Sequence, residues 1–303
     1  MRITLIGYGE VGKILAEDLR AQDQAVTAYD LKLGSVAGAA LQDHAARHGV
    51  ALAASHADAV RNAELVISAV TASQTVAVAQ ACAPAIAAGA WFLDFNSASP
   101  GAKAQAASCI DTVQGRYVEG AVMTLIGGYR IKVPLLLGGP HAAALLPLIS
   151  TLGFAARVAS HKLGVASATK LCRSVMIKGL EVMLIESLTT ARHYGVEDAV
   201  LASLIETYPG VDWHQQATYA FQRVIEHGRR RGEEMQEAAR TVQDAGLVPL
   251  SAAGTAKRDT WMAEQGDAGV FGTRGGAGFA RSADWRVEAD RILASRQQGS
   301  DGL

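Results

Sequence analysis

The chain has 303 residues, of which 50% are hydrophobic and 19% charged, with a formal net charge of −1 at pH 7. This much apolar material supplies a sizeable core and excludes a disordered chain. Charge so close to balance excludes a polyanion-binding surface, which needs a clear excess of Lys and Arg.

Arg2 to Ile6 alternate as a short apolar strand, followed by GYGEVG and the helix-like VGKILAEDLRAQ. In this G-x-G-x-x-G spacing Gly7 permits a tight turn and Gly9 removes a side chain where a pyrophosphate approaches the backbone. Gly12 lets the helix pack on the strand, so the phosphate lies on the helix N-terminus. The motif alone is weak, but here a strand precedes it, a helix follows, and a second strand, AVTAYD, ends in Asp30. The cofactor loop expected is therefore Gly7, Tyr8, Gly9, Glu10, Val11 and Gly12. A carboxylate at Asp30 accepts hydrogen bonds from a ribose 2′-hydroxyl and repels a 2′-phosphate, which favours NAD. Lys32 is a cation that softens this preference and leaves NADP open. The plain alternative for Asp30 is a turn cap.

A helical segment at Ser35 to His48, a strand at Leu65 to Val70, a helix at Gln74 to Ala88, a strand at Trp91 to Phe95 and a helix after Pro100 continue the alternation. Such an order implies a parallel sheet covered on both faces, with right-handed crossovers. Ligands of these sheets sit beyond the carboxyl ends of the strands. The stretches there are Val70 to Ser73 after one strand and Asn96 to Ser99 after another, with Val70, Thr71, Asn96 and Ser97 as the candidate contacts and helix capping by their Ser and Asn residues as the alternative reading. Strands at Tyr117 to Val122 and Lys132 to Leu137, a helix at His141 to Leu152 and a last strand at Phe154 to Ala159 complete the domain.

Lys162 to Tyr194 contains no proline and is apolar on nearly every side. As a helix rising about 1.5 Å per residue it spans roughly 50 Å, too long for one small domain, so it is expected to cross into another domain or subunit. Lys170, Ser174 and Lys178 recur every four residues and share one face. The plain alternative pairs Lys178 with Glu181. Helical segments follow at Glu197 to Thr207, Val211 to His227 and Gly232 to Ala245 without a strand signal. Between the last two, HGRRRGEEM reads as a solvated, self-paired helix start. Gly269 to Ala280 reads as a flexible loop with no helix to receive a phosphate, and the chain from Ser295 as a frayed tail. The organisation expected is an α/β fold: a Rossmann doubly wound parallel sheet in residues 1–160, an all-helical substrate and dimerisation domain in 161–295, and a flexible tail in 296–303.

Three cysteines, Cys82, Cys109 and Cys172, form no CxxC pair, which points to reduced thiols in a cytoplasm. The chain opens at Met1 without the zones of a signal peptide, and no run of eighteen uncharged apolar residues occurs, so neither export nor a membrane partner is expected. His44 and His48 lie four apart, but no carboxylate or cysteine is placed to complete a metal site, and no metal is expected.

Three stretches together, GYGEVG at Gly7 to Gly12, LDFNSASP at Leu93 to Pro100 and GVASATK at Gly164 to Lys170 on a long helix, resemble the β-hydroxyacid dehydrogenases, the relatives of 6-phosphogluconate dehydrogenase. The resemblance covers residues 1 to about 195 well and the remainder loosely. It implies a Rossmann domain followed by a helical domain whose first long helix builds a homodimer interface. It also implies Lys170 as the catalytic lysine, Gly7 to Gly12 as the pyrophosphate loop, Ser97 near the nicotinamide end, and Arg231 as a cation near the cofactor. The chain departs from the family at the D-x-P-V-S-G-G stretch, which here reads EGAVMTL at Glu119 to Leu125, and at the asparagine after the lysine, which is Ser174 here. These departures resemble a divergent branch.

The activity implied is hydride transfer between nicotinamide and a small anionic hydroxyacid of the 3-hydroxyacid type. Lys170 would move the hydroxyl proton, its basicity tuned by burial and by the cations Arg173 and Lys178, while Ser97, Ser174 and Lys178 line the substrate. The alternatives are C=N reduction, as in imine reductases, against which the lysine counts, and an NAD-binding sensor without chemistry.

Overall fold

The computed structural model describes residues 1–36 and 38–300. Two compact units divide the chain, Met1–Cys172 and Arg173–Leu303.

The first unit alternates strand and helix. It runs β1 (Arg2–Ile6), α1 (Glu10–Arg20), β2 (Ala25–Tyr29), α2 (Gly38–His48), β3 (Ala51–Leu52), α3 (His56–Val60), β4 (Leu65–Ser68) and α4 (Thr75–Cys82). It continues through β5 (Trp91–Asp94), α5 (Pro100–Asp111), β6 (Arg116–Val122), α6 (Ile126–Tyr129), β7 (Leu135–Gly138), α7 (Ala142–Thr151) and β8 (Ala156–Ser160). Among the described residues the strands form one sheet in the order β3-β2-β1-β4-β5-β6-β7-β8. The doubly wound order is thus present. The sheet departs from the all-parallel expectation at one pairing, because β7 runs antiparallel to β6, with Gly120 opposite Leu137.

Successive strand residues point to opposite faces, and the core divides accordingly. Ile3, Leu5, Leu65, Ile67, Trp91 and Leu93 pack on one face with Leu15, Leu19 and Leu145. Ile6, Val66 and Phe92 pack on the other with Val78, Ala106 and Ile110. The central strands β4 and β5 are buried along their whole length, which is why they read as unbroken apolar runs. The helix expected over Gln74 to Ala88 ends at Cys82, just before Pro84, which cannot donate to the helix ladder.

The second unit is helical among its described residues. Helix α8 (Val165–Tyr194) begins in the first unit and continues into the second, where α9 (Glu197–Thr207), α10 (Trp213–Asp244), α11 (Leu250–Asp267) and α12 (Trp285–Ser300) follow. Leu184, Leu188, Phe221, Val224, Met262, Phe271 and Trp285 build its core. Two expectations are corrected here. The two helices read over Val211 to Ala245 are one helix, α10, and HGRRRGEEM lies inside it. Gly228 and Gly232 do not break the helix; they let α11 approach. A Cβ at Gly228 would lie 2.4 Å from the Asp259 carbonyl oxygen, and one at Gly232 would lie 2.6 Å from Thr260 Oγ1. The tail expected to be flexible from 296 is helical in α12 to Ser300, and residues 301–303 lie outside the described residues. The glycine-rich stretch at 269–280 forms turns without regular structure, as expected.

The boundary expected at 160 coincides with the end of β8, whereas the first compact unit reaches Cys172. The first turns of α8 are bound to the sheet, since Glu119 of β6 accepts hydrogen bonds from the Ala166 N–H (3.0 Å) and the Ser167 hydroxyl (2.9 Å).

Candidate active site

The glycine loop has the geometry its spacing implies. Gly7 sits at φ +94°, and a Cβ there would lie 2.4 Å from the Ala69 carbonyl oxygen; one at Gly12 would lie 2.2 Å from the Gly7 carbonyl oxygen. Only glycine meets both demands. At Gly9, by contrast, a Cβ would have nothing within 4 Å, so the loop faces open space there. Gly9 is the N-cap of α1 and, having no side chain, leaves that helix end without a side-chain cap of its own. The exposed N–H groups of such an end attract an anion. This cradle fits the pyrophosphate of a dinucleotide, with Glu10, Val11 and Gly12 supplying the first helical turn.

Tyr8 points the other way. Its side chain is buried and its hydroxyl meets His44 Nδ1 at 2.9 Å. Burial, with Glu17 nearby, pushes the Tyr8 pKa up to about 12, so the ring is a neutral anchor for the loop. Asp30 lies at the end of β2, half-buried. One carboxylate oxygen accepts from the Tyr8 N–H (2.8 Å) and the other from the Lys32 N–H (2.9 Å). The turn cap is therefore real, and it holds the carboxylate against the glycine loop.

At the ends of β4 and β5 the candidates separate. Val70 is half-buried and Thr71 exposed. Asn96 is buried: its Oδ1 accepts from the Val70 N–H (2.8 Å) and its Nδ2 donates to Ser68 Oγ (3.0 Å). It clamps the two strand ends together, with its carboxamide engaged inside the sheet. Ser97, the next residue, is half-buried and accepts a 2.6 Å hydrogen bond from Lys170 Nζ. Ser99 caps α5 through the Ala102 N–H at 3.4 Å, as the capping alternative had it.

Beneath this loop lies a group absent from the sequence reading. The Asp94 carboxylate accepts from Lys103 Nζ (3.0 Å), the Tyr117 hydroxyl (2.6 Å) and the Asn96 N–H (2.8 Å), and Lys103 also donates to the Asp94 carbonyl (2.9 Å). Burial, with Asp94 beside it, drives the Tyr117 phenol well above its ordinary range and keeps it a donor. The signal available was Lys103 itself, a lone charge in the otherwise small and apolar run PGAKAQAAS. Glu119 was likewise seen only as a departure in a motif. It is fully buried, and its carboxylate anchors the start of the helix that carries Lys170.

Within the second unit, Ser174, Lys178 and Arg231 are all buried. Lys178 pairs with Glu234 and not with Glu181, the partner that the plain alternative gave it. Burial holds the Lys178 ammonium below its ordinary range, against the pull of Glu234. Arg231, expected as a cofactor contact, is 2% exposed in its side chain and joins Glu181 and Asp259. Its guanidinium turns inward because α10 runs unbroken and puts residue 231 on the face packed against α11. Arg229 and Arg230 stay outside, paired with Asp267 and Glu234.

Residues 2–125 match the family described as the NAD binding domain of 6-phosphogluconate dehydrogenase, and residues 191–261 match a domain of unknown function. A conserved hypothetical protein from Sinorhizobium meliloti 1021 is 35% identical, with 97% of this chain and 96% of that one covered and a TM-score of 0.73. A conserved protein of unknown function, described as structurally similar to 3-hydroxyacid dehydrogenases, is 27% identical over 88% of this chain and 99% of that one, with a TM-score of 0.66. The Mycobacterium tuberculosis 3-hydroxyisobutyrate dehydrogenase, solved with L-serine, shares the fold at 16% identity over 96% of this chain and 98% of that one, with a TM-score of 0.71. With the glycine loop, the doubly wound sheet and the long helix all in place, the chain belongs to the β-hydroxyacid dehydrogenase family, the relatives of 6-phosphogluconate dehydrogenase, as a divergent member.

Proposed function

We propose that the chain is an NAD(P)-dependent oxidoreductase that moves hydride between nicotinamide and the carbinol carbon of a small anionic 3-hydroxyacid, with Lys170 as the proton carrier. The observation that carries this reading is the 2.6 Å bond from Lys170 Nζ to Ser97 Oγ at the carboxyl end of β5, the edge at which ligands of doubly wound sheets bind. The bound cofactor supplies a hydride donor or acceptor. The chain's own residues do the rest. The N–H groups at the start of α1 hold the pyrophosphate. Asp30 takes the ribose hydroxyls and so prefers NAD to NADP. Lys170 gives its proton to the carbonyl oxygen in reduction, or takes the hydroxyl proton in oxidation, and the Ser97 hydroxyl orients the amine. Glu119 fixes the start of α8 and with it the height of Lys170 along the sheet edge.

The hydroxyacid class is supported by the name of the Mycobacterium tuberculosis relative and by the description of the 27%-identical one. EGAVMTL in place of the family's serine and glycines supports a substrate unlike that of a typical member. A cytoplasmic homodimer completes the proposal. In the second unit α8 exposes Met176 (73%) and Met183 (61%), with Ile177 and Leu180 between them, an apolar surface that a second copy would cover.

The test is Lys170→Ala assayed on short 3-hydroxyacids and their oxo forms. NAD binding is expected to stay intact while kcat falls by about two to four powers of ten. Near-normal kcat would refute the proton-carrier role. Turnover of cyclic imines with hydroxyacids untouched would replace this reading with C=N reduction.

A further inference from the structure

We propose that Glu17, His44 and His48 form a binding site for a borderline divalent transition ion of the Zn²⁺ class. Sequence spacing offered only two histidines; the fold brings a carboxylate to them. Helix α2 presents His44 and His48 one turn apart with their rings stacked, centroids 4.5 Å apart and planes at 29°. Glu17 comes from α1, and one ligand atom from each of the three residues lies within 4.8 Å of the others. Among the described residues no other group of three or more His, Cys, Asp or Glu side chains is so placed.

The surrounding groups suit a metal. The Tyr8 hydroxyl meets His44 Nδ1 at 2.9 Å, which leaves Nε2 as the ligand nitrogen and fixes the ring, the role an outer hydrogen bond plays for ligating histidines. His44 Nε2 lies 2.9 Å from Glu17 Oε1, so the ion takes the place of the proton those atoms now share. Arg130 donates to the other oxygen, Oε2, at 2.7 Å and so sets the carboxylate's orientation. The charge of Arg130 is offset by Asp18, 2.7 Å from its Nε. At metal–ligand lengths of about 2.0–2.2 Å, tetrahedral ligand atoms stand about 3.3–3.6 Å apart. The His44–Glu17 pair opens slightly to reach this, and His48, partly exposed, closes by side-chain rotation. Water fills the remaining position. Two imidazoles and one carboxylate select Zn²⁺, Co²⁺, Ni²⁺ or Cu²⁺ over Mg²⁺ and Ca²⁺, which prefer all-oxygen shells.

The experiment is a titration of the tag-free, chelator-treated full chain with Zn²⁺ by calorimetry and with Co²⁺ by visible absorption. One ion per chain is expected, with tetrahedral Co²⁺ bands. Affinity should fall by about ten-fold or more in His48→Ala and again in Glu17→Gln. His48 is half-buried where His44 is buried, which makes its variant the milder test, and far-UV circular dichroism checks that it keeps the fold. Failure to bind, binding unchanged by His48→Ala, or equal binding of Mg²⁺ would each overturn the assignment.

Discussion

Replacing Lys103 by Met tests whether the charge buried under the β5 loop holds that loop in place. Lys103 and Asp94 are each 1% exposed in their side chains, with Nζ 3.0 Å from Oδ1. Two unit charges at that distance attract by about 5 kcal/mol at an effective dielectric constant near 20. Methionine keeps the length and apolar stem of the lysine but leaves a buried carboxylate served only by the neutral donors Tyr117 and Asn96. Breaking such a pair from one side costs about 3–5 kcal/mol, since the stranded charge keeps its desolvation penalty. With a denaturant slope near 3 kcal/mol per molar, the urea midpoint should fall by about 1 M or more. Urea unfolding at pH 7, followed by circular dichroism, reads this directly. Adding Asp94→Asn removes the stranded charge while keeping an acceptor for Tyr117, so the double variant should regain part of the loss. A single-variant loss below about 1 kcal/mol, or a double variant less stable than the single, would show that the pair does not carry the loop.

Asp30→Asn should shift the ratio of NADH to NADPH affinity toward NADPH by about ten-fold, the worth of one charge-assisted hydrogen bond. An unchanged ratio in fluorescence titrations would remove Asp30 from the ribose site. Burial raises the Asp259 pKa from its ordinary 3.8 to about 6, against the pull of Arg231 and Lys178. Its folded-state pKa being the higher, the stability it contributes is full below about 4 and is lost as pH rises through about 6. The difference in Tm between Asp259→Asn and the native chain across pH 4.5 to 7 should follow this curve; a flat difference contradicts it. Arg231→Met, which strands the buried Glu181 and Asp259, should cost about 3–5 kcal/mol. Arg229→Ala, at an exposed pair with Asp267, should cost at most about 1 kcal/mol; equal losses in the two would mean that burial does not decide the matter.

What the sequence determined by itself was local. Gly7, Gly9 and Gly12 carry their backbone demands wherever they stand, and the alternation of apolar strands with helical periods sets a doubly wound sheet, so the cofactor half and the long helix were legible from residue order. Residue order also misled where a local rule met a packing need: Gly228 and Gly232 look like a helix break and are a close approach of α11 to α10. Only the tertiary structure decided which charges meet. Lys178 found Glu234 rather than its helix neighbour Glu181, and Glu119 reached Ser167 across 48 positions. Asp94 took Lys103 and Tyr117, and Glu17 joined His44 across 27 positions. A helical or strand period acts over a few residues. The partner of a buried charge is chosen by whichever elements pack around it, because a charge removed from water must be met by a neighbour in space, however distant that neighbour lies along the chain.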